Sequence, residues 1–149
     1  MAREKVLVVD DEVNIRLLCE EILIRHNYLP TCVENSRKAL KAVAEEDFDL
    51  LLTDIAMPEM DGLSLLQSIR EFQEDLPAIV VTGHGRLDQA IRSLQLGAQG
   101  FIVKPFTQQE LLQAIQETLE KSRLAKPAAQ TDIRGHPDKK KLYQPQSSL

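Results

Sequence analysis

Acidic, hydroxyl and amine side chains close a series of short apolar runs in this chain. Asp10-Asp11-Glu12 follows Val6-Leu7-Val8-Val9, and Asp54 follows Leu50-Leu51-Leu52-Thr53. Thr82 follows Ile79-Val80-Val81, and Lys104 follows Phe101-Ile102-Val103. Each has an ordinary explanation taken singly. An Asp at a strand-to-helix junction usually caps the helix, a Thr before Gly usually marks a turn, and Lys-Pro is a common loop pair. Met57, Met60 and Phe101 read as packing, and His84 as a solvated loop residue. Chance caps rarely fall on consecutive strand ends, so the joint placement carries the weight. Carboxylates held a few ångströms apart repel one another, and such a cluster persists best when a cation neutralises it. An all-oxygen donor set favours Mg²⁺ or a similar hard ion. The turn after the first run is acidic and has neither G-x-G-x-x-G nor a Walker pattern. That excludes dinucleotide and P-loop phosphate cradles, which use glycines and backbone N–H groups there.

The elements that must position these groups alternate in period. Lys5–Val9 reads as a continuous apolar strand buried on both faces. Residues 13–25 read as a helix with Val13, Leu17 and Ile22 among its apolar positions. Residues 28–33 form a second strand, placed at an edge because Pro30 removes a ladder hydrogen bond. Asn35 or Ser36 caps the next helix, with Ala39, Leu40 and Val43 inward. Residues 49–53 are a third strand that ends at Asp54; Leu63, Leu66 and Ile69 mark the helix after its loop. Residues 77–81 are a fourth strand, and Leu87, Ala90, Ile91 and Leu94 give a fourth helix stopped near Gly97. Residues 100–103 are the fifth strand. Thr107, with Glu110 three residues on, opens the last helix as a capping box, and Leu111, Leu112, Ile115 and Leu119 form its apolar face. Strict βα alternation implies an α/β domain with a doubly wound parallel sheet, of the flavodoxin-like (βα)5 type with strand order 2-1-3-4-5. In such sheets ligands sit beyond the carboxyl ends of the strands, where the acidic and basic groups fall. The Lys104-Pro105 bond is expected cis, so that the lysine is aimed back at the site while the chain turns into a helix.

Charge divides the chain in two. Residues 1–121 carry 12 basic and 21 acidic side chains, whereas residues 122–149 carry 6 and 2, within a total net charge of −5. An acidic globular part argues against direct nucleic-acid binding by the folded domain. Residues 1–121 are read as the domain and 122–149, with Pro127, Pro137, Pro145 and Lys139-Lys140-Lys141, as a basic disordered tail or linker. No apolar run nears the roughly 20 residues of a membrane span, and the first residues lack a signal-peptide core, so a cytoplasmic protein is expected. Cys19 and Cys32 lack metal-ligand spacing and read as buried thiols.

The segments V-L-V-V-D-D-E, L-L-L-T-D-I-A-M-P-E-M-D-G-L, A-I-V-V-T-G-H-G and F-I-V-K-P-F resemble, in order and spacing, those of two-component response-regulator receiver domains. The resemblance covers residues 5–121, and its last two segments are similar to receivers of the nitrogen-regulatory type. It implies a phosphorylation-activated switch in which Asp54 accepts a phosphoryl group from a sensor histidine kinase or phosphotransfer protein. It further implies Mg²⁺ bound directly by Asp11 and Asp54, by Asp10 through a water, and by the Ala56 carbonyl. Thr82 and Lys104 would bind phosphoryl oxygens, Gly83 would leave room for them, and Ala56 and His84 would flank the attacking water. Thr82 and Phe101 would be the switch pair. Many members have Tyr at this place; Phe101 has no hydroxyl to fix a rotamer by hydrogen bonding. The changed surface would be the fourth helix, fifth strand and fifth helix, acting on an output such as transcription through an attached or separate domain, or through a homodimer. On this reading the domain is a phosphoacceptor that takes part in its own phosphotransfer and autodephosphorylation, not a turnover enzyme. Two alternatives compete. A Mg²⁺-dependent phosphatase with an Asp nucleophile, of haloacid-dehalogenase type, would need a second Asp two residues after the first, where this chain has Ala56. A phosphorylation-independent interaction module would not need the full set Asp10, Asp11, Asp54, Thr82 and Lys104.

Overall fold

Short continuous apolar runs and period-3.6 segments alternate through the chain, and the computed structural model, which describes residues 3–83 and 85–125, shows ten elements. They are β1 (Lys5–Val9), α1 (Val13–Arg25), β2 (Leu29–Val33), α2 (Ser36–Glu45), β3 (Leu50–Asp54), α3 (Gly62–Arg70), β4 (Ala78–Thr82), α4 (Leu87–Gln95), β5 (Gly100–Val103) and α5 (Gln108–Ala125). All strand pairs are parallel, and the order is β2-β1-β3-β4-β5, as expected for the flavodoxin-like fold. Pro30 lies on the edge strand β2. Asp54 and Thr82 are themselves paired in the ladder, opposite Val81 and Val103, rather than lying just beyond it. Helix α5 continues past residue 121 to Ala125; residues 126–149, and so most of the expected tail, lie outside the described residues, as does His84.

Alternate residues of each strand point to opposite faces, and the core divides accordingly. Leu7, Val9, Leu51 and Val80 pack with Ala39 and Val43 of α2 and Leu65, Leu66 and Ile69 of α3. Val6, Val8, Leu50, Leu52, Ile79, Val81 and Ile102 pack with Cys19, Ile22 and Leu23 of α1 and Leu111, Ile115 and Leu119 of α5. Asn35 caps α2, its side chain accepting from the Lys38 N–H at 2.9 Å. The Thr107–Glu110 capping box forms in both directions, at 2.8 and 3.1 Å. Cys19 is buried, its thiol pushed up to about 12 by burial, and Cys32 is half-buried; both are free thiols. The Lys104-Pro105 peptide is cis. Among the described residues no helix is long and apolar enough to cross a membrane.

Two apolar rows face outward. Helix α1 buries Cys19, Ile22 and Leu23 while Val13 and Leu17 are exposed. Helix α4 buries the small residues Ala90 and Ser93 against the sheet and leaves Leu87, Ile91 and Leu94 exposed. Gly97 ends α4 with φ 100°, a conformation that a side chain resists; a Cβ there would also lie 2.8 Å from Arg70 Nε.

This division predicts unequal costs of truncation. Leu51→Ala removes a fully buried central side chain and should cost about 2–5 kcal/mol in urea unfolding. Leu17→Ala acts on a residue 58% exposed and should change stability by under about 0.5 kcal/mol. Similar losses in the two variants would contradict the assigned faces.

Candidate functional site

Parallel pairing brings the carboxyl ends of β1, β3, β4 and β5 to one edge of the sheet. Asp10 follows the last residue of β1 and its N–H donates to the Val33 carbonyl at 3.2 Å, which ties the turn to β2. Asp54 ends β3 and Thr82 ends β4. The Lys104 N–H donates to the Thr82 carbonyl at 2.8 Å, so the root of the lysine is fixed beside β4. Asp10, Asp54 and Thr82 are 2%, 4% and 2% exposed. Such burial of polar groups is costly unless they are partnered.

The partner is Lys104. Its ammonium lies 2.8 Å from Glu12 Oε1, 3.0 Å from Asp10 Oδ2 and 3.3 Å from Asp54 Oδ2. Asp10 Oδ1 accepts the Glu12 N–H at 2.9 Å, and Asp54 Oδ1 accepts the Ala56 N–H at 3.4 Å. The Thr82 hydroxyl donates to the Arg86 carbonyl at 3.5 Å, a long bond that a better acceptor nearby would replace. Three carboxylates against one ammonium leave a net negative cluster, and the titration behaviour reflects it. Burial, then the Asp10 charge, push the Asp54 carboxyl up from its ordinary 3.8 to about 6 against the pull of Lys104. Burial likewise raises Asp10, opposed by the Glu12 N–H and Lys104. Burial alone would lower Lys104, but its bonds to Glu12 and Asp10 and the charges of Asp10 and Asp54 outweigh it and hold the ammonium above its ordinary range.

Of the residues expected at the site, Asp10, Asp54, Thr82 and Lys104 come together at these strand ends. Asp11 is exposed and stands outside the carboxylate group. The oxygens within 4.8 Å of one another belong to Asp10, Glu12 and Asp54. Glu12 is the member that sequence reasoning passed over, although it stands in the same acidic run. Ala56 and Gly83 are exposed at the rim, and Phe101 is exposed on β5. Gly62 was passed over too. It opens α3, and a Cβ there would stand 2.1 Å from the Asp54 carbonyl oxygen, so only glycine lets α3 start this close to the end of β3. The Gly62 N–H then donates to the Ile55 carbonyl at 2.8 Å, closing the loop that carries Ala56. The donor set is entirely oxygen and carries excess negative charge, which fits a hard divalent cation such as Mg²⁺.

A fold of this order, with acidic and basic groups at the strand ends, defines the receiver class of protein. The family model described as "Response regulator receiver domain" matches residues 6–116, and the chain belongs to that family. It is therefore a receiver domain of two-component signalling, a phosphorylation-activated switch that controls an output. Among curated relatives it is 41% identical over 119 residues to the DNA-binding transcriptional regulator NtrC of Proteus hauseri, covering 80% of this chain and 25% of that protein. It is 35% identical to the sporulation initiation phosphotransferase F of Bacillus subtilis, covering 80% of this chain and 96% of the relative. Among solved structures, NtrX of Brucella abortus matches with a TM-score of 0.82 at 33% identity, over 91% of this chain and 30% of that one. A receiver domain protein of Clostridium thermocellum matches at 0.78 and 30% identity, over 85% of this chain and all of that one. The chain thus spans a quarter of the length of the NtrC relative and nearly the whole of the sporulation protein.

The raised Asp54 predicts a pH-dependent penalty. The folded protein holds the Asp54 proton more tightly than the unfolded chain does. The corresponding stability is fully present below pH 3.8 and lost as pH rises through about 6. Asp54→Asn, neutral at every pH, should therefore raise the stability of the metal-free protein at pH 7.5 by about 1–3 kcal/mol, with the gain vanishing toward pH 4. Urea unfolding in the presence of a chelator checks this. A gain that does not vary with pH, or a loss at pH 7.5, would contradict it.

Proposed function

We propose that Asp54 is the phosphoacceptor and that a sensor histidine kinase or phosphotransfer protein is its donor. The observation that carries this reading is the placement of a buried carboxylate, at the end of a central strand, beside a second buried carboxylate and within 3.3 Å of an ammonium. Attack by an Asp54 carboxylate oxygen forms the oxygen–phosphorus bond. The phosphorus–nitrogen bond to the donor histidine breaks, and its electron pair leaves on the imidazole. Asp54 and Asp11, the Ala56 carbonyl, and Asp10 through a water are the groups that would hold Mg²⁺. When bound, the ion supplies positive charge to the phosphoryl oxygens in the transition state. Asp10 and Asp54 belong to the all-oxygen, net-negative group described above, which supports a hard divalent cation at this edge; Asp11 and the Ala56 carbonyl rest on the likeness to receiver domains.

Lys104 is a mobile point charge on a four-carbon stem and moves to a phosphoryl oxygen. Thr82, held among the described residues by a 3.5 Å bond to the Arg86 carbonyl, turns its hydroxyl to another. That movement vacates space beneath α4, and Phe101 turns inward from its exposed position to fill it. The face changed by this motion carries the exposed Leu87, Ile91 and Leu94 of α4 with Phe101 and Val103 of β5. A homodimer or an output domain contacting α4, β5 and α5 would read the difference. We read the chain as cytoplasmic, with the residues after α5 as a tail or linker to that output; control of transcription is the output suggested by likeness to the NtrC relatives. The domain takes up one phosphoryl group and loses it by autodephosphorylation, without turnover on exogenous esters.

Incubation with a small-molecule phosphodonor and Mg²⁺ should raise the mass by one phosphoryl group per chain, and Asp54→Asn should abolish the gain. Thr82→Ala should still accept phosphate but show smaller backbone shifts in α4. Stoichiometric phosphate on Asp54→Asn would overturn the assignment. The full wild-type shift pattern in Thr82→Ala would remove the hydroxyl as transmitter.

A further inference from the structure

Lys104 is shared unequally, and its nearest partner is the carboxylate that carries no role in the phosphoryl chemistry above. Glu12 Oε1 accepts from the ammonium at 2.8 Å, closer than Asp10 at 3.0 Å or Asp54 at 3.3 Å. Glu12 occupies the N-cap position of α1, yet its side chain caps nothing. Its backbone N–H is instead bound to Asp10 Oδ1 at 2.9 Å, which fixes the turn with the Glu12 carboxylate reaching the lysine 92 residues along the chain. The root of Lys104 is pinned by the bond to the Thr82 carbonyl, so the partners of its ammonium decide where the charge rests.

We propose that Glu12 is a positioning residue that parks the Lys104 ammonium at the mouth of the site in the resting domain and competes for it with a phosphoryl group on Asp54. The inference rests on the reading of Asp54 as phosphoacceptor. Its physical basis is a division of labour among the three carboxylates. Asp10 and Asp54 are almost completely buried and would share their charge with a bound cation. The Glu12 side chain is 59% exposed and keeps its charge for the lysine. An acyl phosphate on Asp54 carries a charge of about −1.5 to −2 in place of the carboxylate's single negative charge, and it draws the ammonium inward only as far as Glu12 releases it. Glu12 thereby sets the balance between resting and phosphorylated arrangements without touching the phosphoryl group.

The test uses beryllofluoride as the phosphoryl mimic at saturating Mg²⁺, with half-saturation read from backbone amide shifts of the full chain. An exposed ion pair is weak, so Glu12→Gln should lower the half-saturating concentration by about two- to fivefold. Glu12→Asp keeps the charge but is one methylene shorter and favours capping α1; it should shift binding in the same direction. In a Lys104→Met background the effect of Glu12→Gln should disappear, because the competed group is gone. Wild-type binding in Glu12→Asp, or an undiminished gain from Glu12→Gln without the lysine, would reduce Glu12 to a general negative charge and overturn the proposal. Weaker binding in Glu12→Gln would overturn it too. Failure of the wild type itself to bind beryllofluoride would instead overturn the phosphoacceptor reading, and this inference with it.

Discussion

One ammonium group balances three carboxylates at the carboxyl edge of the sheet, and the rest of the molecule is arranged around that imbalance. Asp10 and Asp54 are desolvated beside one another at the ends of adjacent strands; burial raises the proton affinity of both, and the Asp10 charge raises that of Asp54 further. The site is thus a destabilising element in the metal-free domain. It is held by what lies beneath it: central strands buried on both faces and two apolar layers that leave little freedom to relax. The same excess negative charge that weakens the fold fits the site to a hard cation. Stability and sensitivity are opposed at this edge, and the core supplies the difference.

The groups differ in mobility according to their supports. Asp10 and Asp54 stand at the ends of paired strands, and the Ile55–Gly62 bond closes the loop beside them. Thr82 is on a strand, but its hydroxyl is loosely held. Lys104 alone has both a fixed root and a long free stem. A rigid carboxylate, an ammonium on a long stem and a loosely held hydroxyl thus stand together at the ends of β3, β5 and β4. Helix α4 is anchored by small buried residues and carries its large apolar ones on the outside, so a small displacement alters an apolar surface without disturbing the core.

Much of this was legible in the sequence. The runs Val6–Val9, Leu50–Thr53 and Ile79–Val81 are continuous and apolar, as strands covered on both sides must be, and the acidic, hydroxyl and amine residues close them. The faces of α1 were less legible, because Val13, Ile15, Leu17, Leu18, Ile22, Leu23 and Ile24 surround the helix and no period selects one side. In α4 the apolar positions Leu87, Ala90, Ile91 and Leu94 marked the helix without selecting which of them is buried; the helix packs through Ala90 and Ser93, since close approach to the sheet favours small side chains over large ones. Glu12 looked like a continuation of an acidic run because its partner lies 92 residues away. The need for glycine at position 62 is invisible until α3 and the end of β3 are brought together. What sequence reasoning missed are tertiary juxtapositions that neither periodicity nor local propensity encodes.

The central claim, that Lys104 neutralises a carboxylate cluster otherwise poised for a divalent cation, is tested most directly by calorimetric titration of Mg²⁺ into the wild type and Lys104→Met. A cation and an ammonium a few ångströms apart repel even in a watery environment. Removing the ammonium should therefore tighten Mg²⁺ binding about tenfold. Unchanged or weaker binding in Lys104→Met would contradict the account, since the lysine would then not be holding the charge that the metal displaces.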